Sequence, residues 1–379
     1  MARCPDGPPR TTLVSMFVAW RDLRFAKGRF TLMGTVIVLI TLLVGLLSGL
    51  TAGLARENIS AITGLPADRL AFAAPPSGQS VSFTNSTVTE DEWKRWAERP
   101  GVTEAAPLGI RTLNAAAGDR TAAVSAFGTE PGTGLAPESG RLGAGKAVLS
   151  ESAAEELGVG VGDALRLGPL EATVAAVSGD ASYSHTPVVW TSLDDWQKLG
   201  HSGTTPQEQA TVIALSGSDG GSGVDWAAGD EAAGTEARTI DDALTAIGSY
   251  QAENGSLQLM RGFLFAISAL VIGAFFTVWT IQRSGDVAVL KALGASTPYL
   301  LKDALGQAVL MLTAGTLLGT ALAVGIGALV SGGNVPFVLE PLTVLGPAAV
   351  IIVLGVLGAA LSIRRITAVD PLTALGSAR

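Results

Sequence analysis

Four long runs of apolar residues restrict what this sequence can fold into. They cover Phe30–Leu54, Gly262–Gln282, the front of Ala304–Leu339 and Pro341–Ile363. A helix needs about 20 apolar residues to cross the hydrocarbon core of a bilayer, and each run is long enough. Only 15% of the residues are charged, whereas about a quarter are charged in soluble domains. The sequence therefore predicts four transmembrane helices, with residues 57–256 as a separate region between the first and the second.

The distribution of charge predicts the orientation of the chain. Residues 57–256 hold 27 acidic and 11 basic side chains, a net charge of 11 − 27 = −16, and the rest of the chain is positive. The basic residues flank the apolar runs at Arg21, Arg24, Lys27, Arg29, Arg283, Lys291, Lys302, Arg364 and Arg365. Positively charged segments remain in the cytoplasm. We therefore expect a multi-pass protein of the cell membrane with both termini cytoplasmic, a large extracytoplasmic region and no nucleic-acid partner.

The polar segment Arg283–Asp303 joins the second and third predicted spans. Three of its apolar residues share one helical face: Val287, Leu290 and Leu293. Gly294 suits the left-handed residue that follows a helix end, and Thr297 before Pro298 fits a cap followed by proline at the first helical position. We expect a short amphipathic helix on the membrane surface that passes a push from a soluble partner into the bilayer.

Part of this segment, Asp286–Ser296 (DVAVLKALGAS), resembles the coupling segment of FtsX-like, MacB-type permeases of ABC transporters. Residues 146–199 resemble the later part of the extracytoplasmic domain of that family, and Arg364–Gly376 resembles its cytoplasmic tail. The resemblance implies an α-helical membrane protein with four transmembrane helices and a mixed α+β extracytoplasmic domain inserted between helices 1 and 2. It also implies membrane lipid, a second copy of the chain and a cytoplasmic ABC ATPase as partners. The ATPase would contact Val287, Leu290, Lys291, Leu293, Gly294 and Ala295.

These expectations divide the chain into ten segments. They are a disordered leader (1–15), a cytoplasmic elbow helix (16–29), transmembrane helix 1 (30–56), the extracytoplasmic MacB-like domain (57–256), transmembrane helix 2 (257–282), the coupling segment (283–302), transmembrane helix 3 (303–331), an outer loop (332–340), transmembrane helix 4 (341–363) and a cytoplasmic tail (364–379).

Glycines recur at every fourth position in the first predicted span. Gly45, Gly49 and Gly53 therefore lie on one helix face, where another helix can approach closely. We expect this face to contact the second copy of the chain in a two-fold dimer. Glu57 is the next position in the series, at the outer end of the span.

Catalytic motifs are not recognisable in the sequence. Gly140–Ala147 (GRLGAGKA) nearly matches a phosphate-binding loop, but Ala147 replaces the hydroxyl that would hold magnesium. His185 and His201 lack the further ligands, at suitable spacing, that a zinc site needs. We therefore expect no enzyme activity, no metal and no intrinsic cofactor, with ATP hydrolysed by a separate subunit.

The cargo is indicated by a second resemblance. Arg56–Asp68 (RENISAITGLPAD) is similar to the junction after the first span in haem-exporting permeases of the HrtB type and in DevC-like permeases. This resemblance implies haem as cargo, with Glu57, Tyr183 and Tyr250 as residues that contact it. Arg56 and Arg261 lie at the same predicted membrane depth, and we expect them to meet the haem propionates. Two alternatives stay open: export of a lipid, lipopeptide or antibiotic, and FtsX-like signalling to a cell-wall hydrolase without transport.

Overall fold

The structure, a computed structural model, describes residues 27–200, 209–331 and 335–367. It separates into two compact units. We call Leu54–Ser256 the outer unit, and the described residues before and after it the membrane unit. The predicted leader lies outside the described residues, and so do most of the predicted elbow helix and of the predicted cytoplasmic tail.

The described part of the chain contains ten α-helices. They are α1 (Lys27–Thr63), α2 (Glu90–Ala97), α3 (Glu151–Leu157), α4 (Leu193–Lys198), α5 (Trp226–Ala233), α6 (Ile240–Ala243), α7 (Tyr250–Gln282), α8 (Ser284–Ala292), α9 (Thr297–Val330) and α10 (Pro341–Thr367). Four of them, α1, α7, α9 and α10, are long and apolar enough to cross a membrane. The four predicted transmembrane helices are thereby confirmed.

The membrane unit is held together by a small apolar core. Ile37 of α1, Ile272 and Phe276 of α7, Leu312 of α9 and Ile351 of α10 are all buried in it. Much of the remaining apolar surface of these helices is exposed, as expected for side chains that would face lipid. The third helix begins at Thr297, earlier than the predicted residue 303, and Ser296 rather than Thr297 occupies its cap position.

The outer unit is built on twelve strands. They are β1 (Arg69–Ala73), β2 (Val88–Thr89), β3 (Val102–Ala117), β4 (Arg120–Thr129), β5 (Lys146–Leu149), β6 (Ala164–Leu167), β7 (Leu170–Val177), β8 (Ser182–Tyr183), β9 (Thr186–Ser192), β10 (Gln209–Ala210), β11 (Val212–Gly217) and β12 (Thr235–Thr239). Ten of them form one sheet in the order β12-β1-β11-β3-β4-β9-β5-β7-β6, with β8 paired to β9, and β10 pairs with β2. The predicted mixed α+β domain between the first two spans is therefore confirmed.

Local sequence signals explain several of these elements. Thr89 and Glu92 form a capping box at the start of α2, and the Ser150 hydroxyl caps α3 by accepting a hydrogen bond from the Ala153 N–H. The hairpin of β6 and β7 turns at Gly168, whose φ of 53° lies in the left-handed region that glycine tolerates. Its alternating burial pattern places one face of the hairpin in the core.

Candidate functional site

Five polar side chains of the outer unit contact one another near the last turns of α1 and the first turn of α7. We call them the junction cluster: Glu57, Asn58, His185, Ser249 and Glu253. The imidazole of His185 lies between two carboxylates, with its Nδ1 3.7 Å from Glu57 Oε2 and its Nε2 2.8 Å from Glu253 Oε2. The Asn58 amide donates to Glu253 Oε2 at 2.7 Å and to Ser249 Oγ at 3.4 Å.

Backbone geometry brings His185 to this position. Ser184 and His185 form the two-residue turn between β8 and β9, with φ of 49° and 62°. A hairpin turn of this type requires positive φ at both central residues, although side chains other than glycine pay for that conformation. The N–H of Ser184 donates to the Asn58 carbonyl at 3.0 Å, and the N–H of His185 donates to the Glu57 carbonyl at 3.2 Å. These hydrogen bonds fix the turn on α1 and hold the imidazole beside Glu57.

The junction cluster is partly exposed and negatively charged. The exposed fractions of the side chains are 35% for His185, 43% for Glu57 and 41% for Glu253, so solvent reaches all three. Glu156 adds to the negative charge nearby: desolvation raises the pKa of its carboxyl, and the carboxylates of Glu57 and Glu155 raise that pKa further. Exposed ion pairs each contribute only about 0–1 kcal/mol to stability. The cluster is therefore accessible to a ligand and is not an important source of folding stability.

Of this cluster, the sequence indicates only Glu57 as a cargo residue. His185 lacks the ligand spacing of a zinc site in the sequence, and the structure places a carboxylate at each of two edges of its imidazole. Among the residues that the structure describes, no group of three or more His, Cys, Asp or Glu side chains could hold a metal ion. Asn58 and Glu253 carry no recognisable motif; their contacts depend on residues nearly 200 positions apart, and no local pattern could have indicated them.

Tyr183 does not occupy the position that its predicted role requires. Its side chain is 7% exposed and packs edge to face against Phe83 and Phe127, with ring centroids 5.7 Å away in both cases. Burial raises the pKa of the Tyr183 phenol well above its usual range, so the group stays protonated at physiological pH. A phenolate ligand to iron is thus disfavoured, and Tyr183 is a core residue outside the junction cluster.

The other predicted cargo residues have different surroundings. Tyr250 is half-buried against the core of the outer unit, and its hydroxyl accepts a hydrogen bond from the Asn254 amide at 3.5 Å. Arg56 is exposed. Arg261 belongs to the membrane unit, where its Nη2 donates to Thr51 Oγ1 at 3.0 Å and its Nε is buried without a hydrogen-bond partner among the described residues.

The coupling segment of the membrane unit has the helix–stop–helix form that the sequence predicts. Helix α8 ends at Ala292, Gly294 follows with a φ of 96°, and α9 begins at Thr297. Four apolar side chains of this segment are largely exposed: Val289 (55%), Leu290 (43%), Leu293 (80%) and Tyr299 (49%). Val287, Lys291 and Ala295 are only half-exposed, so the apolar surface is shifted relative to the predicted face. Docking of an ATPase on this surface stays a prediction.

Polar side chains at the two ends of the coupling segment contact each other. The guanidinium of Arg283 donates from Nη1 to Gln307 Oε1, and its Nη2 lies 3.8 Å from Asp303 Oδ2. The Gln307 amide donates to the same Asp303 oxygen at 3.1 Å, and Arg283 stacks over the Trp279 ring at 5.2 Å. We call Trp279, Arg283, Asp303 and Gln307 the base clamp, because it links the end of α7 to the start of α9.

The glycines of α1 make close contacts inside the chain rather than presenting a free face. A Cβ at Gly45 would lie 2.8 Å from the Ala323 Cβ, and one at Gly49 would lie 2.3 Å from the Phe337 ring. At Gly53 the nearest atom would be the Pro336 carbonyl oxygen, at 2.1 Å. The close approach predicted for these residues is present, but α9 and the segment before α10 occupy it. Contact of this face with a second copy stays a prediction.

Two family profiles match the chain. The family described as MacB-like periplasmic core domain matches residues 30–222, and the one described as FtsX-like permease C-terminal matches residues 259–371. The extracellular domain of the ABC-type transporter YknZ from Gram-positive bacteria is a structural neighbour with a TM-score of 0.34 and 13% identity, covering 45% of this chain and 95% of that one.

Curated relatives match almost from end to end. A protein of Staphylococcus haemolyticus named hemin transport system permease protein HrtB is 26% identical over 366 residues, and one of the same name from Staphylococcus epidermidis is 26% identical over 368 residues. An uncharacterised ABC transporter permease of Mycobacterium tuberculosis is 24% identical over 374 residues. Each alignment covers 95% of this chain and 99% of the relative. The chain thus belongs to the MacB-type family of FtsX-like permeases, the membrane subunits of ABC transporters.

Proposed function

We propose that this chain is the permease subunit of an efflux complex that uses the ATPase motion of a separate subunit to expel haem from the cell membrane. The observation that carries this proposal is the combination of an exposed apolar coupling segment with a solvent-accessible imidazole and two carboxylates in the outer unit. Two similar proteins named as hemin transport permeases support the choice of cargo. The minimal complex contains two copies of the chain and two ATPase subunits related by a two-fold axis.

The coupling step uses the shape of α8 and the turn that follows it. A soluble subunit that docks on Leu290 and Leu293 buries apolar surface, which stabilises the contact by roughly 25 cal/mol per Å². Gly294 then sets a sharp change of direction into the long helix α9. The base clamp joins the two spans beside this surface, so a push on α8 moves the ends of α7 and α9 together.

The docking step is tested with the double variant Leu290→Asp/Leu293→Asp. Two carboxylates in the apolar surface carry a desolvation cost on docking, so the ATPase subunit should no longer copurify with the permease. Ser284→Asp is the matched control, since it adds a charge at an exposed position of the same helix outside the apolar surface. A double variant that still assembles and exports would contradict the coupling role of α8.

Cargo binding is assigned to the junction cluster. Histidine is a common axial ligand of haem iron, and carboxylate oxygen is a hard ligand that suits ferric iron. His185 and Glu57 place both kinds of group beside each other on the outer unit, and Arg56, the residue before Glu57 in α1, is exposed. Binding would require the imidazole to leave the carboxylate at its Nε2, an exchange that costs little because the ion pair is exposed.

A haem titration tests this assignment. The full-length protein in lipid nanodiscs should shift the Soret band of haemin at micromolar concentration, and His185→Gln and Glu57→Gln should each weaken the shift. Glu98→Gln is the control, an exposed carboxylate of the outer unit remote in sequence from the cluster. If the wild-type protein gives no shift beyond that of empty nanodiscs, haem is excluded as cargo, and export of a lipid, lipopeptide or antibiotic takes its place. That alternative predicts ATPase stimulation by the other cargo.

A further inference from the structure

The outer unit also contains a pocket whose lining includes no residue of the junction cluster. Its volume is about 430 Å³, which is within the usual range of small-molecule sites. Its apolar wall consists of Phe83, Tyr183 and Trp196, and Arg111 lies at its edge. The exposed hydroxyl groups of Thr84 and Thr87 line the same space. We call it the Arg111 pocket.

The aromatic wall is rigid. The Trp196 side chain packs so closely on the strands β3 and β4 that a Cβ at Gly109 would lie 2.3 Å from its ring and one at Gly128 would lie 2.5 Å from it. Phe83 and Tyr183 pack edge to face, with ring centroids 5.7 Å apart. A wall made of fixed rings loses little conformational entropy when a ligand binds, so it is suited to a flat apolar body.

Arg111 gives the pocket its charge. Its guanidinium stacks over the Trp196 ring at 5.2 Å and is half-buried. Within the described part of the chain it makes no ion pair and no hydrogen bond, although acidic residues outnumber basic ones 27 to 11 in residues 57–256. The Trp196 indole N–H is also buried without an acceptor there. Arg111 is therefore a half-buried cation with no anionic partner among the described residues, and a guanidinium in that state is suited to bind an anionic ligand.

We propose that the Arg111 pocket binds a small organic anion, in which a carboxylate or phosphate is carried on a flat apolar body. The anionic group pairs with the Arg111 guanidinium, whose fork of N–H donors matches two oxygens, and the Thr84 and Thr87 hydroxyls can donate to it as well. The apolar body lies against Phe83, Tyr183 and Trp196. This site is independent of the proposed haem export, because it shares no side chain with the junction cluster.

Binding is measured on the full-length protein in lipid nanodiscs by equilibrium dialysis, with empty nanodiscs as background. The probe is naphthalene-1-acetate, and its neutral partner of nearly equal shape is naphthalene-1-acetamide. The carboxylate should bind about tenfold more tightly than the amide, because a charge-assisted hydrogen bond is about twice as strong as a neutral one. Arg111→Gln should abolish this preference and leave the weak binding of the amide unchanged.

Arg141→Gln is the matched control, since Arg141 is an exposed arginine of the outer unit that pairs with Glu138, and it should bind the carboxylate like the wild type. Arg111→Lys keeps the charge and should retain part of the preference, which separates loss of charge from loss of fold. Equal affinity of the wild type for carboxylate and amide overturns the proposal, as does an Arg111→Gln protein that still prefers the carboxylate. Failure of haem binding leaves this result unaffected.

Discussion

At the scale of single residues, Asp195 shows how a buried carboxylate is kept charged. It is 1% exposed, accepts a hydrogen bond from the Gly145 N–H at 2.6 Å and pairs with the Lys198 ammonium at 2.8 Å. Burial acts to raise its pKa, but the hydrogen bonds from Lys198 and Gly145 outweigh burial, and the pKa of Asp195 is lowered. The carboxylate thus holds α4 in place, and Trp196 of the same helix packs in the core of the outer unit.

Replacing this carboxylate should make the stability of the protein less dependent on pH. The lowered pKa of Asp195 means that its contribution is present above the ordinary carboxyl pKa and is lost as the pH falls through the lowered value. Asp195→Asn should cost about 1–3 kcal/mol near neutral pH, because the Gly145 N–H loses a charged acceptor. The cost should fade as the pH falls below the ordinary carboxyl pKa of about 3.9, where the wild-type carboxylate begins to be protonated on unfolding.

The measurement is the unfolding midpoint of the full-length protein, followed by tryptophan fluorescence at neutral pH and at a pH below the ordinary carboxyl pKa. Asp194→Asn, an exposed neighbour in the same helix, is the control and should have little effect. A constant penalty at both pH values would contradict the ionised carboxylate.

In the junction cluster, backbone hydrogen bonds matter more than ion pairs between side chains. His185 makes two contacts with carboxylates, yet all three side chains are accessible to solvent, so the pairs contribute little energy. What holds the imidazole in place is the backbone, through the positive φ of Ser184 and His185 and the hydrogen bonds of their N–H groups to α1. A ligand can therefore compete for the imidazole while the turn stays in position.

At the scale of the elements, small residues decide how α1 packs within the membrane unit. Alanine in place of an exposed helical glycine usually stabilises a helix by up to about 1 kcal/mol. At Gly53 that gain is opposed by a clash, since the new Cβ would lie 2.1 Å from the Pro336 carbonyl oxygen. Overpacking of this kind costs about 1–3 kcal/mol, so the clash should prevail.

We therefore expect Gly53→Ala to lower the thermal stability of the purified protein. Gly325→Ala is the control, because no atom lies within 4 Å of a Cβ built there. Native mass spectrometry of the same variants records the oligomeric state. A Gly53→Ala protein that unfolds at the wild-type temperature but loses its dimers would contradict the clash and would support contact of this face with a second copy.

The base clamp fixes the end of α7 to the start of α9. Gln307 is 3% exposed, and its amide group contacts both Arg283 and Asp303. Gln307→Leu removes both hydrogen bonds and should cost about 1–3 kcal/mol of local stability, because the charged partners are left without it. The coupling segment would then be less firmly attached to the two spans.

Hydrogen–deuterium exchange of residues 284–296 measures this effect in the permease alone, without the ATPase. Faster exchange is expected in Gln307→Leu and not in Gln282→Leu, which changes an exposed glutamine at the end of α7. Unchanged exchange in Gln307→Leu would show that the clamp does not hold the segment.

At the scale of the whole molecule, charge predicts that the outer unit faces away from the cytoplasm. A cysteine at Asp119, in the exposed turn between β3 and β4, should react with a membrane-impermeant maleimide in intact cells. A cysteine at Ser284 should react only after permeabilisation. Both variants are made in a Cys4→Ser background, since Cys4 is the single native cysteine. The reverse labelling pattern would contradict the predicted orientation of the chain and with it the proposed direction of export.

The sequence by itself determined the features that depend on local or additive properties. Span length and hydropathy predicted the four membrane helices, and Gly294 predicted the turn after α8 because few other residues tolerate positive φ there. The inserted α+β domain followed from the resemblance to the permease family. The caps at Thr89 and Ser150 are local features of the same kind, because each residue lies directly before the helix that it caps.

Only the tertiary structure decided which side chains meet. The junction cluster joins residues 57–58, 184–185 and 249–253, the base clamp links the start of one span to the end of another, and the Arg111 pocket gathers residues from distant strands. The surroundings of Tyr183 also depended on it, because a tyrosine at this position in the sequence is compatible with a ligand or with a core residue until its neighbours are known. The physical reason is that such contacts are set by the strand order and by burial, neither of which any short stretch of sequence encodes.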